Sequence, residues 1–446
     1  MGFEVIDEVS VDRRHGRVFE HGWQSWSPTT SYPAAARSYR PVEPAMDLMC
    51  YRPHKPAPAH GFQSEGLLVV DPGHGGQVRR YAAADTTTSV PSIRASYLDG
   101  RLVVTADGPT TKSRHGSTTE ALITWADAFA AACGVPWLRP APTVWCSWYQ
   151  YFTGVTEADV IENVEAIAKL DLPVDVVQID DGWEAEIGDW LMPSGRFGSL
   201  PGIVDRIRDT GRRAGIWLAP FLVGARSEVA RDHPDWLVGA LTGGAPADAG
   251  HSWDQDLYAL DLTHPGAMDY LSVVLGKLCA TGFSYFKLDF LYAGALEGRR
   301  FGGVPALTAY RDALRQIRAA LGPEAYITGS GAPILPSVGL VDAMRVSPDI
   351  DTRYDPPDGD AARPSQLSAT LSTVGRAFQH GRFWVNDPDC LIARPAVERR
   401  AEWAAVVERY GGLRASSDRI AELDDWGLAT TRRLLSDVPS PTPFPS

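Results

Sequence analysis

The stretch YFKLDFLYAG (285–294) places Lys287 and Asp289 two residues apart inside an otherwise apolar run. On a β-strand that spacing puts both on one face, and an opposite-charge pair on a buried face is costly unless it is paired or used. Similar polar groups close other short apolar runs. Asp180 and Asp181 end one, Trp217 stands just before Ala219-Pro220 in another, Arg345, Ser347 and Asp349 end a third, and Asn386, Asp387 and Asp389 a fourth. A single Asp after a strand is well explained as a helix cap. Five such ends are not, because caps draw on Ser and Asn as readily. A ring of carboxylates suits either metal binding or glycoside chemistry. Hydrolytic metal sites normally include His. His251 and His264 fall instead in the insert after the third run and His380 in the helix before the seventh, so no metal and no cofactor is expected. Glycoside cleavage needs two carboxyl groups flanking the scissile bond. Trp23, Trp26, Trp148, Trp183, Trp190, Trp217 and Trp384 add ring faces suited to the CH face of a sugar. For any one of them alone, core packing is the simpler reading.

Chemistry of this kind requires a scaffold that gathers strand ends on one face. From Pro142 short apolar strands alternate with helical segments through about 437, giving eight candidate strands, nearly all followed by a helix. TEADVIENVEAIAKL, with a cap at Thr156 and an acidic first turn, is typical of these helices. Such a repeat predicts an α/β fold, a (β/α)8 TIM barrel over 142–437, whose active face is built by the loops after its strands. A doubly wound sheet is disfavoured because neither G-x-G-x-x-G nor GxxxxGK[ST] occurs. Residues 1–135 differ. GLLVV (66–70), SIRASYLDGRLVVTAD (92–107) and EALITWADAF (120–129) read as strands of an N-terminal antiparallel β-sandwich-like domain. YRPHKPAPAHG (51–61) reads as loop, and the tail 438–446 (VPSPTPFPS) as disordered.

The 446 residues carry a net charge of −13, with 44% apolar and 22% charged residues. An acidic chain of ordinary composition is a poor partner for nucleic acid or an anionic membrane surface. No apolar run is long enough to span a bilayer, and MGFEVIDEVSVDRR lacks the pattern of a secretory signal. Five scattered cysteines without CxxC spacing point to reduced thiols and a cytoplasmic location.

The motifs IDDGW (179–183), GIWLAP (215–220), YFKLDF (285–290), MRVSPD (344–349) and NDPD (386–389), with HGWQSWSP (21–28), resemble glycoside hydrolase family 36, the melibiase-like α-galactosidases, in a clan shared with families 27 and 31. The resemblance covers most of 20–420. It implies Asp289 as nucleophile and Asp349 as general acid/base. Asp180 and Asp181 then correspond to hydroxyl-binding carboxylates, Trp217 to a stacking wall, and Lys287 and Arg345 to substrate-binding cations. Trp26, or Trp23, is the residue lent by the N-terminal domain, Trp190 lines the pocket from the loop after strand two, and Ser330 stands near a family Cys on the C2 side of the sugar. The implied activity is a retaining exo-acting α-galactosidase that removes terminal α-linked galactose from oligosaccharides through a glycosyl-Asp intermediate.

On this pattern Lys287 holds Asp289 ionised, since an adjacent cation lowers a carboxylate pKa. Asp349 must start protonated, so Arg345 is expected nearer the nucleophile or the substrate than Asp349. Retention requires carboxyl groups about 5–5.5 Å apart. Three features depart from the family. Ser330 stands near the position of the Cys, IDTRYDPPDGD after Asp349 is strongly charged and is expected to alter the leaving-group side, and no substantial C-terminal β-domain is expected. The alternatives are an α-glycosidase of another sugar (α-N-acetylgalactosamine or α-glucose), a non-catalytic carbohydrate-binding barrel, and a metal-dependent hydrolase. Relatives are often oligomeric, so a homo-oligomer is compatible with the resemblance.

Overall fold

The computed structural model describes residues 2–40, 44–86 and 88–445, with backbone alone at 44–46. Met1, residues 41–43 and Thr87 of the expected N-terminal domain, and Ser446 of the expected tail, lie outside the described residues. Eight parallel strands form the barrel: β1 Thr143–Cys146, β2 Val176–Ile179, β3 Arg213–Leu218, β4 Phe283–Leu288, β5 Tyr326–Gly329, β6 Ala343–Arg345, β7 Val385–Asp387 and β8 Arg414–Ser416. They pair in the order β7-β6-β5-β4-β3-β2-β1-β8. One parallel bridge, Leu391 to Ser416, brings the segment after β7 to β8, so the barrel is nearly closed. The strands are short apolar runs buried on both faces, as parallel strands covered by helices must be. Trp217 on β3 pairs with Lys287 on β4, and Lys287 with Thr328 on β5. This register carries the polar ends to a common height.

The helices start where the side chains supply caps. Thr156 and Asp159 form a reciprocal capping box ahead of Glu157–Lys169. Ser199 and Ser365 accept backbone N–H groups at the starts of Leu200–Asp209 and Gln366–Gly375.

The N-terminal region holds two antiparallel sheets, one of four strands and one of five. Their inner faces share a core of Val18, Phe62, Leu68, Tyr81, Ile93 and Val104. The segment 92–107, expected as strand, is a hairpin of Ser92–Leu98 and Arg101–Ala106. Its two turn residues, Asp99 and Gly100, have φ of 48° and 80°, the left-handed pair that matches strand twist in a tight hairpin. The third expected strand is instead a helix, Thr118–Cys133. Ser117 accepts from the Glu120 N–H while the Glu120 carboxylate accepts from the Gly116 N–H at 2.8 Å. Ala121, Leu122, Trp125 and Ala126 form its buried stripe, at the spacing of one helix face. The apolar run LITWA concealed this 3.6-residue period. Residues 438–445 have no regular secondary structure, but Phe444 stacks on His380 with centroids 4.0 Å apart, so this part of the expected disordered tail is packed. No helix among the described residues is long and apolar enough to cross a membrane.

Candidate active site

The loops after β2, β3, β4 and β6 surround one cavity of roughly 420 Å³, lined by Asp180, Asp181, Trp217, Lys287, Asp289 and Asp349. Asp289 follows directly on β4, and its backbone N–H donates to the Leu218 carbonyl of the neighbouring strand at 2.7 Å. One carboxylate oxygen accepts from the Phe290 N–H at 2.8 Å. The other accepts from the Trp217 indole N–H at 3.1 Å and lies 3.8 Å from Lys287 Nζ. Three fixed partners hold this carboxylate at the pocket floor. Phe290, the next residue, takes φ of 51°, uncommon for an aromatic residue, and its ring turns into the cavity wall.

Lys287 is bound more closely to Asp180, at 2.9 Å, than to Asp289. Burial alone would pull the Lys287 ammonium down, yet Asp180 and Asp289 together hold it well above the ordinary lysine range. The same Asp180 oxygen accepts from the Gln178 amide, and Ser147 Oγ accepts from the Asp180 N–H at 2.9 Å. Asp180 is 1% exposed, so its main engagement is with Lys287. Asp181 differs. It accepts from the Trp253 indole N–H at 2.9 Å, while its other oxygen is buried without a protein partner. Burial pushes its carboxyl up to about 6, against the neighbouring polar groups of Glu184 and Trp253. Burial and the adjacent Asp181 raise Glu184 well above the usual carboxylate range. A buried acceptor without a partner costs stability, so Asp181 is poised to take a hydrogen bond from a ligand.

Asp349 faces the same cavity with a third of its side-chain surface exposed. Burial raises its pKa, against Arg345 and Lys287, which lower it. The expected placement of Arg345 needs correction. Its guanidinium contacts Asp349 at 2.9 Å, Asp389 at 2.8 Å and Asp387 at 3.5 Å, and it does not line the cavity. Three carboxylates surround this one buried cation, and at Asp349 burial outweighs its pull. Asp389 is pushed up to about 7 by burial and accepts a hydrogen bond from the Tyr149 hydroxyl.

Trp26 lines the cavity from the N-terminal domain, edge-on to Phe290 at 5.0 Å, and its indole N–H is buried without a partner. The loop that carries it is pinned to the barrel. The Ser25 N–H donates to the Ala332 carbonyl at 3.0 Å, and the buried Arg376 guanidinium donates to the carbonyls of Gln24, Ser25 and Ser27. Gly331 makes the approach possible. It has φ of 53°, and a Cβ there would stand 2.9 Å from the Trp26 ring.

Two other expected lining residues are displaced. Trp190 is 1% exposed and supports Trp217 from behind, edge-on at 5.9 Å. Ser330 is buried with its hydroxyl unpartnered, but lies outside the lining. Trp23 belongs to a separate cavity, under the Arg52 guanidinium at 4.5 Å. The sequence reading missed Met49, Trp253 and Phe290 as lining residues. Trp253 sits in the two-residue turn of the hairpin Asp248–Ser252 and Gln255–Ala259, where Trp253 and Asp254 have φ of 52° and 54°. Without glycine or asparagine that turn left no signal in the sequence. Of the histidines set aside above, His251 pairs with Asp256 at 2.9 Å and His264 caps the helix Pro265–Thr281.

This geometry agrees with comparisons to known proteins. A family model described as melibiase matches residues 139–293. A structure of the Thermus thermophilus α-galactosidase TtGalA, in complex with p-nitrophenyl α-D-galactopyranoside, superposes with a TM-score of 0.80 at 28% identity, covering 98% of this chain and 92% of that one. The chain is similar to α-galactosidases of the melibiase type. Among curated relatives, the bifunctional α-galactosidase/sucrose kinase AgaSK of Mediterraneibacter gnavus is 30% identical over 102 residues, 21% of this chain and 10% of that protein. The α-galactosidase AgaA of Geobacillus stearothermophilus is 24% identical over 160 residues, 34% of this chain and 21% of that protein. These matches span only 10% and 21% of the two relatives' lengths. The AgaA crystal structure shares the fold, with a TM-score of 0.62 at 14% identity.

Proposed function

We propose that this barrel is a retaining, exo-acting α-galactosidase. The observation that carries the reading is that Asp289 and Asp349, from the ends of β4 and β6, open onto one cavity in different electrostatic settings. Asp289 accepts two N–H groups and has an ammonium beside it, which fix its carboxylate facing the cavity as a nucleophile must be. Asp349 is shifted toward the protonated form that a general acid needs. In the first step the Asp289 carboxylate attacks the anomeric carbon while Asp349 protonates the departing oxygen. In the second, Asp349 takes a proton from water as that water displaces Asp289. Asp181 Oδ1 and the Trp26 indole N–H supply an acceptor and a donor for sugar hydroxyls, and Trp217 and Trp253 supply ring surface. The barrel over 142–437 carries the chemistry and the domain over 1–135 closes the sugar pocket through Trp26. Walls on several sides suit a chain end, hence exo action on an oligosaccharide with a terminal α-linked galactose. The TtGalA structures with p-nitrophenyl α-D-galactopyranoside and with stachyose support that substrate class. The five cysteines are free, in keeping with a cytoplasmic enzyme. The test is hydrolysis of an aryl α-galactoside. Asp289→Ala should abolish turnover with the fold intact by circular dichroism, and undiminished turnover would rule out the assigned nucleophile.

A further inference from the structure

Asp389 is fully buried, and neither chemical step uses it. One of its carboxylate oxygens accepts from the Cys390 N–H at 2.7 Å and meets Arg345 Nη2 at 2.8 Å. The other accepts from the Ile350 N–H at 3.0 Å and from the Tyr149 hydroxyl. We propose that Asp389 is the positioning residue of the general acid, clamping Asp349 through Arg345 at its carboxyl and through the Ile350 N–H at its backbone; this rests on the function proposed above.

Reach is the first argument. Arg345 spans from Asp389 to Asp349, which lies 2.9 Å from its other terminal nitrogen. Ile350 follows Asp349 directly, so the bond to its N–H fixes the peptide unit that carries the acid. Asp389 therefore holds the acid at two points, yet does not itself line the cavity. A misplacement of about 1 Å in a reacting group can cost on the order of a hundredfold in rate. The backbone is the second argument. Asp389 takes φ of 100°, a region that residues other than glycine avoid and that persists where the surrounding contacts over-determine it. The chain tolerates this conformation at the residue that reaches both Arg345 and Ile350. Charge is the third. Asp349 at 2.9 Å and Asp387 at 3.5 Å already offer Arg345 two carboxylates. Burying a third adds desolvation cost that the stability of the ion pair does not require. What the third carboxylate does is compete with Asp349 for the guanidinium. Without it more of that positive field falls on the acid, which favours the ionised form that cannot donate a proton.

The experiment compares two leaving groups on the whole chain by kcat/KM. An α-galactosyl disaccharide leaves through an alcohol oxygen that must be protonated, whereas 2,4-dinitrophenyl α-galactoside leaves as a phenolate that needs no proton. Asp389→Asn removes the charge and keeps the shape, and Asp389→Gly removes the side chain and accepts the positive φ without strain. In each variant the disaccharide should lose at least tenfold more kcat/KM than the aryl galactoside. Either variant suffices if the other does not fold by circular dichroism. Equal losses on the two substrates mark a merely structural role and overturn the proposal, as does a disaccharide loss under threefold. Asp349→Ala separates this from the function itself. If that variant shows no difference between the leaving groups, or the unmodified chain turns over neither substrate, the assigned acid falls and the proposal with it. A difference in Asp349→Ala with none in the Asp389 variants overturns the proposal alone.

Discussion

Arg376→Met tests how the two domains build one pocket. Arg376 is fully buried and donates four hydrogen bonds, at 2.7 to 2.9 Å, to the carbonyls of Gln24, Ser25, Ser27 and Val346. Three of these belong to the loop that bears Trp26. Hydrogen bonds involving a charged group contribute about 1.5–3 kcal/mol each in isolation, which for four bonds would exceed any plausible net effect. The sum is offset by the cost of burying a cation, the same burial that pushes the Arg376 pKa down to about 9. The carbonyls it leaves unpaired each cost about 1–3 kcal/mol unless water reaches them. Because Ser25 also pairs with Ala332 through its N–H and its hydroxyl, the loop should loosen and not detach. The expected net loss is about 3–5 kcal/mol, the range for a buried polar centre that loses one side. Denaturant midpoints at constant m-value report this loss. In the folded fraction, KM for an aryl α-galactoside should rise about tenfold or more through misplacement of Trp26, near 1.4 kcal/mol, with a smaller change in kcat. A stability change under about 0.5 kcal/mol together with an unchanged KM would refute the idea that Arg376 positions the pocket wall.

Gly331→Ala should raise KM without loss of the fold, because a Cβ 2.9 Å from the Trp26 ring must push that ring aside, and steady-state kinetics would show it. Arg345→Met should move the alkaline limb of the kcat/KM profile to higher pH. The guanidinium stabilises the Asp349 carboxylate, so without it the acid keeps its proton longer; a limb that moves down or stays would contradict that role. Lys287→Met leaves Asp180 and Asp289 buried without their cation and should destabilise by about 3–5 kcal/mol. Adding Asp180→Asn should restore part of the stability but not the activity, as measured by thermal melts and turnover.

The barrel was legible because strands such as β2 and β4 are short apolar runs followed by polar residues, and because caps such as Thr156 mark the helices that follow. The helix Thr118–Cys133 was not, since a stretch such as LITWA suits a strand as well as a helix and the cap pair at Ser117 and Glu120 was the discriminating signal. Asp180, Asp181, Trp217, Lys287, Asp289 and Asp349 could be placed together because strand period and barrel geometry put strand ends on one face. Arg345 was misjudged for the complementary reason. Its spacing from Asp349 puts the two close in sequence, but only the fold brings Asp387 and Asp389 from a distant segment to share its charge. Trp253 depends on a hairpin inside a long insert, and Trp190 on packing behind another tryptophan. Neither has a periodic signature.

The central claim is tested most directly by trapping the covalent intermediate. A fluorinated α-galactosyl fluoride, whose ring substituent slows the second step, should inactivate the enzyme with one equivalent of sugar. Peptide mapping by mass spectrometry should place that sugar on Asp289, and proton NMR of early products from an unmodified substrate should show the α-anomer. Label on any other carboxylate, or initial release of the β-anomer, would contradict the account.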